Sequence, residues 1–310
     1  MHPLAPMLAG LAETRPAAPG KTFSIALARQ QRRTCLAVGR MAVQSLYDEL
    51  MLYPKPGLVS AVDNGSHDDM NAGTFMRSMF SLRHYFIAIT QAGMNDAPFS
   101  ELKRLGIKAE QSMLRATGGI NTHRGAIFAL GMLCAAVGHC HSRRVTLSAR
   151  AIRAALLSQW GEALQAHTRA ESNGSHGQLV AAMHAASGAR EEAAQGFPAV
   201  FDIALPALWR TLDGSLCWER ARIDALFALM AHISDTNVYY RRGAAGAGLV
   251  REHARRFIAR GGTCCADWRA HAQDCHRIFT GQRLSPGGAA DLLAAACFIH
   301  KATGRLPRSR

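Results

Sequence analysis

The feature that most constrains this chain is the spacing of its apolar residues. Phe75, Met79, Leu82, Phe86 and Ile89 step by four and three, as one buried face of an α-helix does. Ile152, Leu156, Trp160 and Leu164 repeat the period, and so do Ile223, Leu226, Met230 and Ile233. Nowhere do β-branched residues alternate as a half-buried strand requires. Helix starts carry cap signals at Ser24, Ser100, Ser148 and above all Ser285-Pro286, with Ser at the cap and Pro at the first helical position. Gly118-Gly119 and Gly261-Gly262 read as helix stops. The expected fold is all-α.

No Pro/Gly/Ser-rich linker divides the chain after residue 22, and no repeat is visible. Residues 23–310 are therefore read as a single large multi-helix domain with functional Gly-rich loops, behind a flexible N-terminal arm over 1–22. Apolar residues make up 48% of the chain and charged residues 19%, the balance of a chain that buries a core. The longest near-apolar run, Ala126 to Val137, falls short of the ~20 residues of a membrane span, so no membrane is expected. Eight cysteines without a C-x-x-C pair suit a reducing, cytoplasmic setting, where the Asn-Gly-Ser sequons at Asn64 and Asn173 stay unmodified.

Charge is lopsided. The chain has 36 Lys+Arg against 22 Asp+Glu, a net +14, and Lys occurs only at 21, 55, 103, 108 and 301. An arginine excess suits polyanionic small molecules, nucleic acid, or solvated faces in an Arg- and Ala-rich sequence. The basic residues are scattered in pairs, and no zinc-finger, RNP or basic-zipper pattern appears, so no nucleic acid is expected.

Against this background stand polar, Gly-rich strings between the helices. Pro54-Lys55-Pro56-Gly57-Leu58-Val59 leads into Asn64-Gly65-Ser66-His67-Asp68-Asp69-Met70, and Thr117-Gly118-Gly119-Ile120-Asn121-Thr122-His123-Arg124-Gly125 follows. Ser175-His176-Gly177, Arg190-Glu191-Glu192-Ala193, Gly196-Phe197-Pro198, Asp235-Thr236-Asn237 and Leu284-Ser285-Pro286-Gly287-Gly288 complete the set. Helix connections need Gly and Asn for turn geometry, but not the His, Arg and carboxylates beside them.

Gly118-Gly119 and Gly287-Gly288 let a backbone approach a ligand, the second pair at a helix N-terminus that favours anions. Both also read as plain helix caps or stops. Lys55, Arg124, Arg190 and Arg242 supply charge for phosphate, or are solvated; Asn121, Asn237 and Ser285 share their strings. Asp63, Asp68, Asp69, Glu191, Glu192 and Asp235 are hard ligands of the kind Mg²⁺ uses, or acidic helix starts favoured by the dipole. His67 and His123 sit in turns beside Gly or Asn, where a ligand-binding or catalytic role competes with a core one.

Taken in order, these strings resemble the triphosphoribosyl-dephospho-CoA synthase family over nearly the whole chain after the arm. P-K-P-G-L-V at 54–59, N-G-S-H-x-D-M at 64–70, T-G-G-I-N-T-H-R-G at 117–125 and L-S-P-G-G-A-A-D-L-L at 284–293 carry most of the likeness. Glu191 departs from it, standing where Gly is usual. The resemblance implies a helical cytoplasmic enzyme whose substrates are ATP and 3′-dephospho-CoA. Its product would be the prosthetic-group precursor for malonate decarboxylase or citrate lyase, with the malonate branch slightly favoured. A downstream prosthetic-group transferase and an acyl carrier protein would be indirect partners, and homo-oligomer formation is left open. On this reading Asp69, Glu192 and Asp235 supply the base and the Mg²⁺ ligands, and His67 or His123 assists the leaving adenine. The alternatives are a Mg²⁺-dependent helical ADP-ribosyl or nucleotide glycohydrolase and a basic helical nucleic-acid-binding or adaptor protein.

Overall fold

The computed structural model describes residues 20–169 and 188–305. Residues 1–19 of the expected arm, Asn173 and the Ser175-His176-Gly177 string lie outside the described residues. Twelve α-helices and no strand occur among those described. They are α1 (Gly20–Leu50), α2 (Ala72–Ser81), α3 (Arg83–Met94), α4 (Phe99–Thr117), α5 (Arg124–Ser142) and α6 (Ala149–Arg169). The second half holds α7 (Ala189–Ala194), α8 (Leu205–Ser215), α9 (Trp218–His232), α10 (Thr236–Ala259), α11 (Trp268–Gly281) and α12 (Gly287–Ala302). A π-helical turn, Ala199–Ala204, leads into α8, and a 3₁₀ turn, Gly262–Cys264, precedes α11.

Helix α5 is the axis. From Ala126 to Cys140 every residue except Phe128 is buried. Its length and composition would allow it to cross a membrane, yet 78% of that window is buried inside the protein. A helix apolar on all sides needs partners on all sides, and α5 packs on α1, α3, α4, α6, α7 and α12. Its closest neighbour is α3. A Cβ on Gly93 would lie 2.0 Å from the Ala135 oxygen, and one on Gly138 2.2 Å from the Thr90 oxygen. Any side chain at those positions would wedge the two backbones apart.

The periodic faces are buried as the spacing predicts, with one break. Met79, Leu82, Phe86 and Ile89 are in the core, but the run is divided at Leu82 between α2 and α3. The cap signals divide too. The Ser148 hydroxyl accepts from Ala151 N at 3.1 Å, a true cap of α6. Ser24 falls inside α1, and Ser100 follows Pro98, the N-cap of α4. Ser285 is not the cap of α12: Pro286 takes that place and the helix begins at Gly287. The serine hydroxyl is turned toward a histidine instead, as described below.

Candidate active site

The N-termini of α5, α10 and α12 open onto one cavity of about 1080 Å³, at the upper end of the ~300–1,000 Å³ usual for small-molecule sites. Of the residues singled out from the sequence, His67, Asp69, Asn121, His123, Arg124 and Arg190 line it. So do Glu192, Asp235, Asn237, Ser285, Gly287 and Gly288. Strings far apart in the chain thus share one chamber.

Asp235 sits where two helices begin. It is the N-cap of α10, its Oδ1 accepting from Asn237 N at 3.0 Å, while its Oδ2 accepts from Ala289 N at 3.0 Å in the first turn of α12. Val238 and Gly288 N–H groups also point at it. Burial pushes its carboxyl above the ordinary range, against the pull of these four donors. The α12 N-terminus, read from sequence as a phosphate site, is therefore already facing a carboxylate of the chain itself. Gly287 and Gly288 have a matching reason to lack side chains. Their Cβ atoms would lie 3.0 Å from Asn237 Nδ2 and 3.0 Å from Asp235 Oδ2.

A second carboxylate does the same for α5, and the sequence reading gave it no role. Asp291, on α12, faces the cavity and accepts from Ala126 N–H. A Cβ on Gly125 would lie 2.1 Å from its Oδ2, so Gly125 makes room for this carboxyl. Burial, with Glu49 and Asp235 nearby, raises the Asp291 pKa well above the usual carboxylate value. Glu49 lines the same floor and pairs with Lys55 at 2.5 Å. Lys55 itself is 1% exposed, behind the wall rather than on it. Only its spacing from Glu49, six residues across the end of α1, could have suggested the pair.

Glu192 lines the cavity from α7. Its Oε2 accepts from Ala199 N at 3.1 Å, starting the π-helical turn, and burial raises its pKa. Glu191 accepts from Gly188 N at 2.9 Å and so closes the first turn of α7, which accounts locally for a glutamate there. Asp69 is the open carboxylate, with a side chain 60% exposed and one oxygen 3.4 Å from His67 Nδ1.

The histidines are both neutral in this setting. His67 Nε2 is 2.8 Å from the Ser285 hydroxyl, and an Arg241 Nη lies 3.2 Å from its Nδ1. Arg241 donates to that nitrogen, which leaves Nε2 as the protonated one, donating to Ser285. Burial and Arg241 lower the His67 pKa. His123 is buried against Phe75 with Nδ1 2.6 Å from the Ser78 hydroxyl. Burial, with Lys55 behind, pushes it down to about 3, so it cannot carry an acid proton at neutral pH. Arg241, passed over in favour of its neighbour, lines the cavity; Arg242 turns away to the Gln282 oxygen at 2.8 Å. Nor do Gly118 and Gly119 reach the chamber. Gly118 is the left-handed C-cap of α4 (φ 69°), the helix-stop reading of that string. Arg124 pairs with Glu110, and Asn121 Oδ1 accepts from Arg124 N at 3.1 Å to start α5.

Asp69, Glu192 and Asp235 do not gather as three ligands. Among the described residues the group of that kind within 4.8 Å is Cys265, Asp267 and His271, none of which lines the cavity. Arg260 stands 2.6 Å from His271 Nε2, putting a positive charge where a metal would sit. For a divalent cation needing one or two carboxylates, Asp69 has the accessible oxygens. Those of Asp235 are spent on backbone N–H groups.

Fold and site together define an all-helical enzyme with one large chamber lined by arginines, histidines and carboxylates from distant parts of the chain. Within that class the chain belongs to the CitG family, ATP:dephospho-CoA triphosphoribosyl transferase, whose model matches residues 35–309. It is 40% identical to a probable 2-(5″-triphosphoribosyl)-3′-dephosphocoenzyme-A synthase of Acinetobacter calcoaceticus, over 84% of this chain and 89% of that protein. It is likewise 40% identical to a protein of the same description from Pseudomonas aeruginosa (strain UCBPP-PA14), over 86% and 90%. To one from Stutzerimonas stutzeri it is 36% identical, over 91% and 97%. No solved structure matches the chain.

Proposed function

We propose that this chain moves the 5-triphosphoribosyl group of ATP onto the 2′-hydroxyl of 3′-dephospho-CoA and releases adenine. The observation carrying the reading is that strings spread from Leu58 to Ala294 line one cavity, in a chain matched by the family over most of its length. Arginines without a Walker loop suit a reaction that keeps the triphosphate as a handle. The bond broken joins ribose C1″ to adenine nitrogen; the bond formed joins C1″ to the acceptor oxygen, through an oxocarbenium-like transition state.

The acceptor hydroxyl must lose a proton and the departing adenine must gain one, and each positioned group supplies roughly 10²–10⁴-fold. Glu192 is our base: it is ionisable, cavity-facing, and has a pKa raised by burial toward its task. Asp291, on the cavity wall and with a pKa raised by burial beside Glu49 and Asp235, is our donor to adenine. His67 holds Ser285 and Arg241 in place, and their O–H and N–H groups orient phosphate oxygens. Asp235 fixes the starts of α10 and α12 around them. Asp69 would hold Mg²⁺, which when bound offsets triphosphate charge.

The product would be the prosthetic-group precursor for an acyl carrier protein, attached by a separate transferase. The Thr-His-Arg-Gly string at 122–125 and the single domain favour the malonate decarboxylase pathway over the citrate lyase one. Mass spectrometry after incubation with ATP, Mg²⁺ and dephospho-CoA tests the reaction. Adenine and an acceptor lengthened by triphosphoribose are expected; stoichiometric ADP, or ribose triphosphate formed without acceptor, would overturn it.

A further inference from the structure

The chamber has two chemically different ends. One is built by the starts of α10 and α12 and holds His67, Asp69, Arg241 and Ser285. The other is built by α4, α6 and α7. Helix α4 packs on α2, α3, α5 and α6, whereas α10 packs on α9, α11 and α12, so the two walls belong to different parts of the bundle. At the second wall the His167 ring stands between Phe99 and Phe128, with centroids 5.3 and 6.3 Å away. Burial, together with the charge of Arg190 and Lys103 beside it, lowers the imidazole's pKa to about 4. Arg190 is fixed by a bond from its Nη1 to the His167 oxygen at 3.2 Å. Of the carboxylates of this wall, Glu110 pairs with Arg124, while Glu191 accepts from Gly188 N and its charge also acts on Arg190 and His167. Among the described residues this leaves Lys103 as the cation with no carboxylate set against it here. Two cations thus stand beside an aromatic, apolar surface that continues outward to Ile107, 48% exposed at the cavity's edge.

Both substrates of the proposed reaction are adenine nucleotides with linked phosphates, but only the acceptor carries a long, largely apolar arm beyond its pyrophosphate. We infer that 3′-dephospho-CoA enters by the α4–α6–α7 end, with Lys103 and Arg190 on its pyrophosphate and Phe99 and Ile107 along its pantetheine arm, while ATP occupies the α10–α12 end. The inference rests on the function proposed above and adds which substrate each end takes. The acceptor's 2′-hydroxyl then points inward toward Glu192, and its thiol end points to solvent.

Lysine is scarce enough in this chain to make the test clean. Lys103 and Lys108 lie on the same helix, and only Lys103 lines the cavity. Acetylation of the wild-type protein is followed by peptide mass spectrometry, with dephospho-CoA alone or Mg²⁺-ATP alone. Dephospho-CoA should protect Lys103 and leave Lys108 reacting as before, and Mg²⁺-ATP should protect neither. Protection of Lys103 by Mg²⁺-ATP alone, or by neither substrate, overturns the inference. In steady state, Lys103→Ala and Arg190→Gln should each raise KM for dephospho-CoA roughly tenfold or more, as loss of a charged hydrogen bond does, with KM for ATP little changed. Arg241→Gln should do the reverse. A rise in KM for ATP alone in the Lys103 and Arg190 variants sinks the assignment. If wild-type protein made no product from the two substrates, the proposed reaction would fail, and the protection experiment would still be read independently.

Discussion

Asp235→Asn separates a structural carboxylate from a metal ligand. The side chain is 6% exposed and takes N–H groups from Asn237 and Val238 at the start of α10 and from Gly288 and Ala289 at the start of α12. Asparagine keeps one acceptor oxygen and replaces the other with a donor. One helix keeps its cap, and the N–H groups of the other then face an N–H₂. Hydrogen bonds to a charged group contribute about 1.5–3 kcal/mol each, so losing two removes about 3–6 kcal/mol. Part of this returns, because a buried charge disappears and burial already holds this carboxyl's pKa up. A net loss of roughly 2–4 kcal/mol follows, lowering Tm by about 5–10 °C in a domain of this size. Thermal melts followed by circular dichroism give the first readout, and the Mg²⁺ requirement of the remaining activity gives the second. A lower Tm with an unchanged Mg²⁺ requirement is expected. A variant as stable as wild type, but needing more Mg²⁺, would refute it and make Asp235 a ligand.

Gly125→Ala puts a methyl 2.1 Å from Asp291 Oδ2; the displaced carboxyl should cost about 1–3 kcal/mol of stability and at least about tenfold in turnover. Gly118→Ala, strained at φ 69° but off the cavity, should lose about 1–2 kcal/mol with kcat unchanged; denaturant melts read the stabilities and initial rates the turnover, and an equal turnover loss in both variants would count against Asp291. His123 has a folded pKa near 3 against about 6.5 unfolded. Between these values the unfolded chain binds more protons, so its contribution is full above pH 6.5 and is lost as pH falls toward 3, by up to about 1.4 kcal/mol per pH unit. His123→Asn should flatten the fall in denaturant midpoint from pH 6.5 to 4.5 relative to wild type; an unchanged slope would contradict a buried neutral imidazole. All eight cysteines are free thiols in the structure and should titrate in denaturant without reductant; a shortfall of two or more would point to a disulfide.

Helical architecture was legible because a buried face leaves a 3.6-residue period in any stretch long enough to count. Membership of the cavity was legible from residue type, since turns have no local use for His67, Asp69 or Arg190. What stayed hidden depends on contacts between distant segments. Nothing beside Arg241 and Arg242 tells which one faces inward; the backbone break at Gly243 (φ 62°, ψ −161°) inside α10 lies just beyond them. Asp224 reads as an inert surface carboxylate next to an apolar helix face. In the structure it accepts from Thr263 N at 2.9 Å and from the Thr211 and Thr263 hydroxyls, and it is a structural hub. Asp291 stands inside the last string, yet one acidic residue among Ala and Leu carries no pattern of its own, and Glu49 beside Asp48 reads as an ordinary solvated helix end.

The glycines show why the strings travel together. Read singly, each suggests a backbone drawn up to a ligand; in three dimensions most are drawn up to one another. A Cβ on Gly57 would meet the Leu284 oxygen at 2.1 Å, and Gly65, at φ 56°, folds back onto the Leu58 carbonyl. Gly125 admits Asp291, Gly287 admits Asn237, and Gly288 admits Asp235. Ser66 completes the seam, donating to the Leu284 oxygen at 2.5 Å. The last string is therefore the meeting place of four others, and its carboxylate and glycines set the spacing of the helix starts around the chamber. Such a seam has little tolerance: a side chain added on one partner moves the N–H groups and carboxyls that the other presents to the substrate. The glycines that read singly as ligand loops are thus explained by close packing. In the proposed reaction this packing would fix where Arg241, His67 and Glu192, which line the same cavity, stand relative to one another.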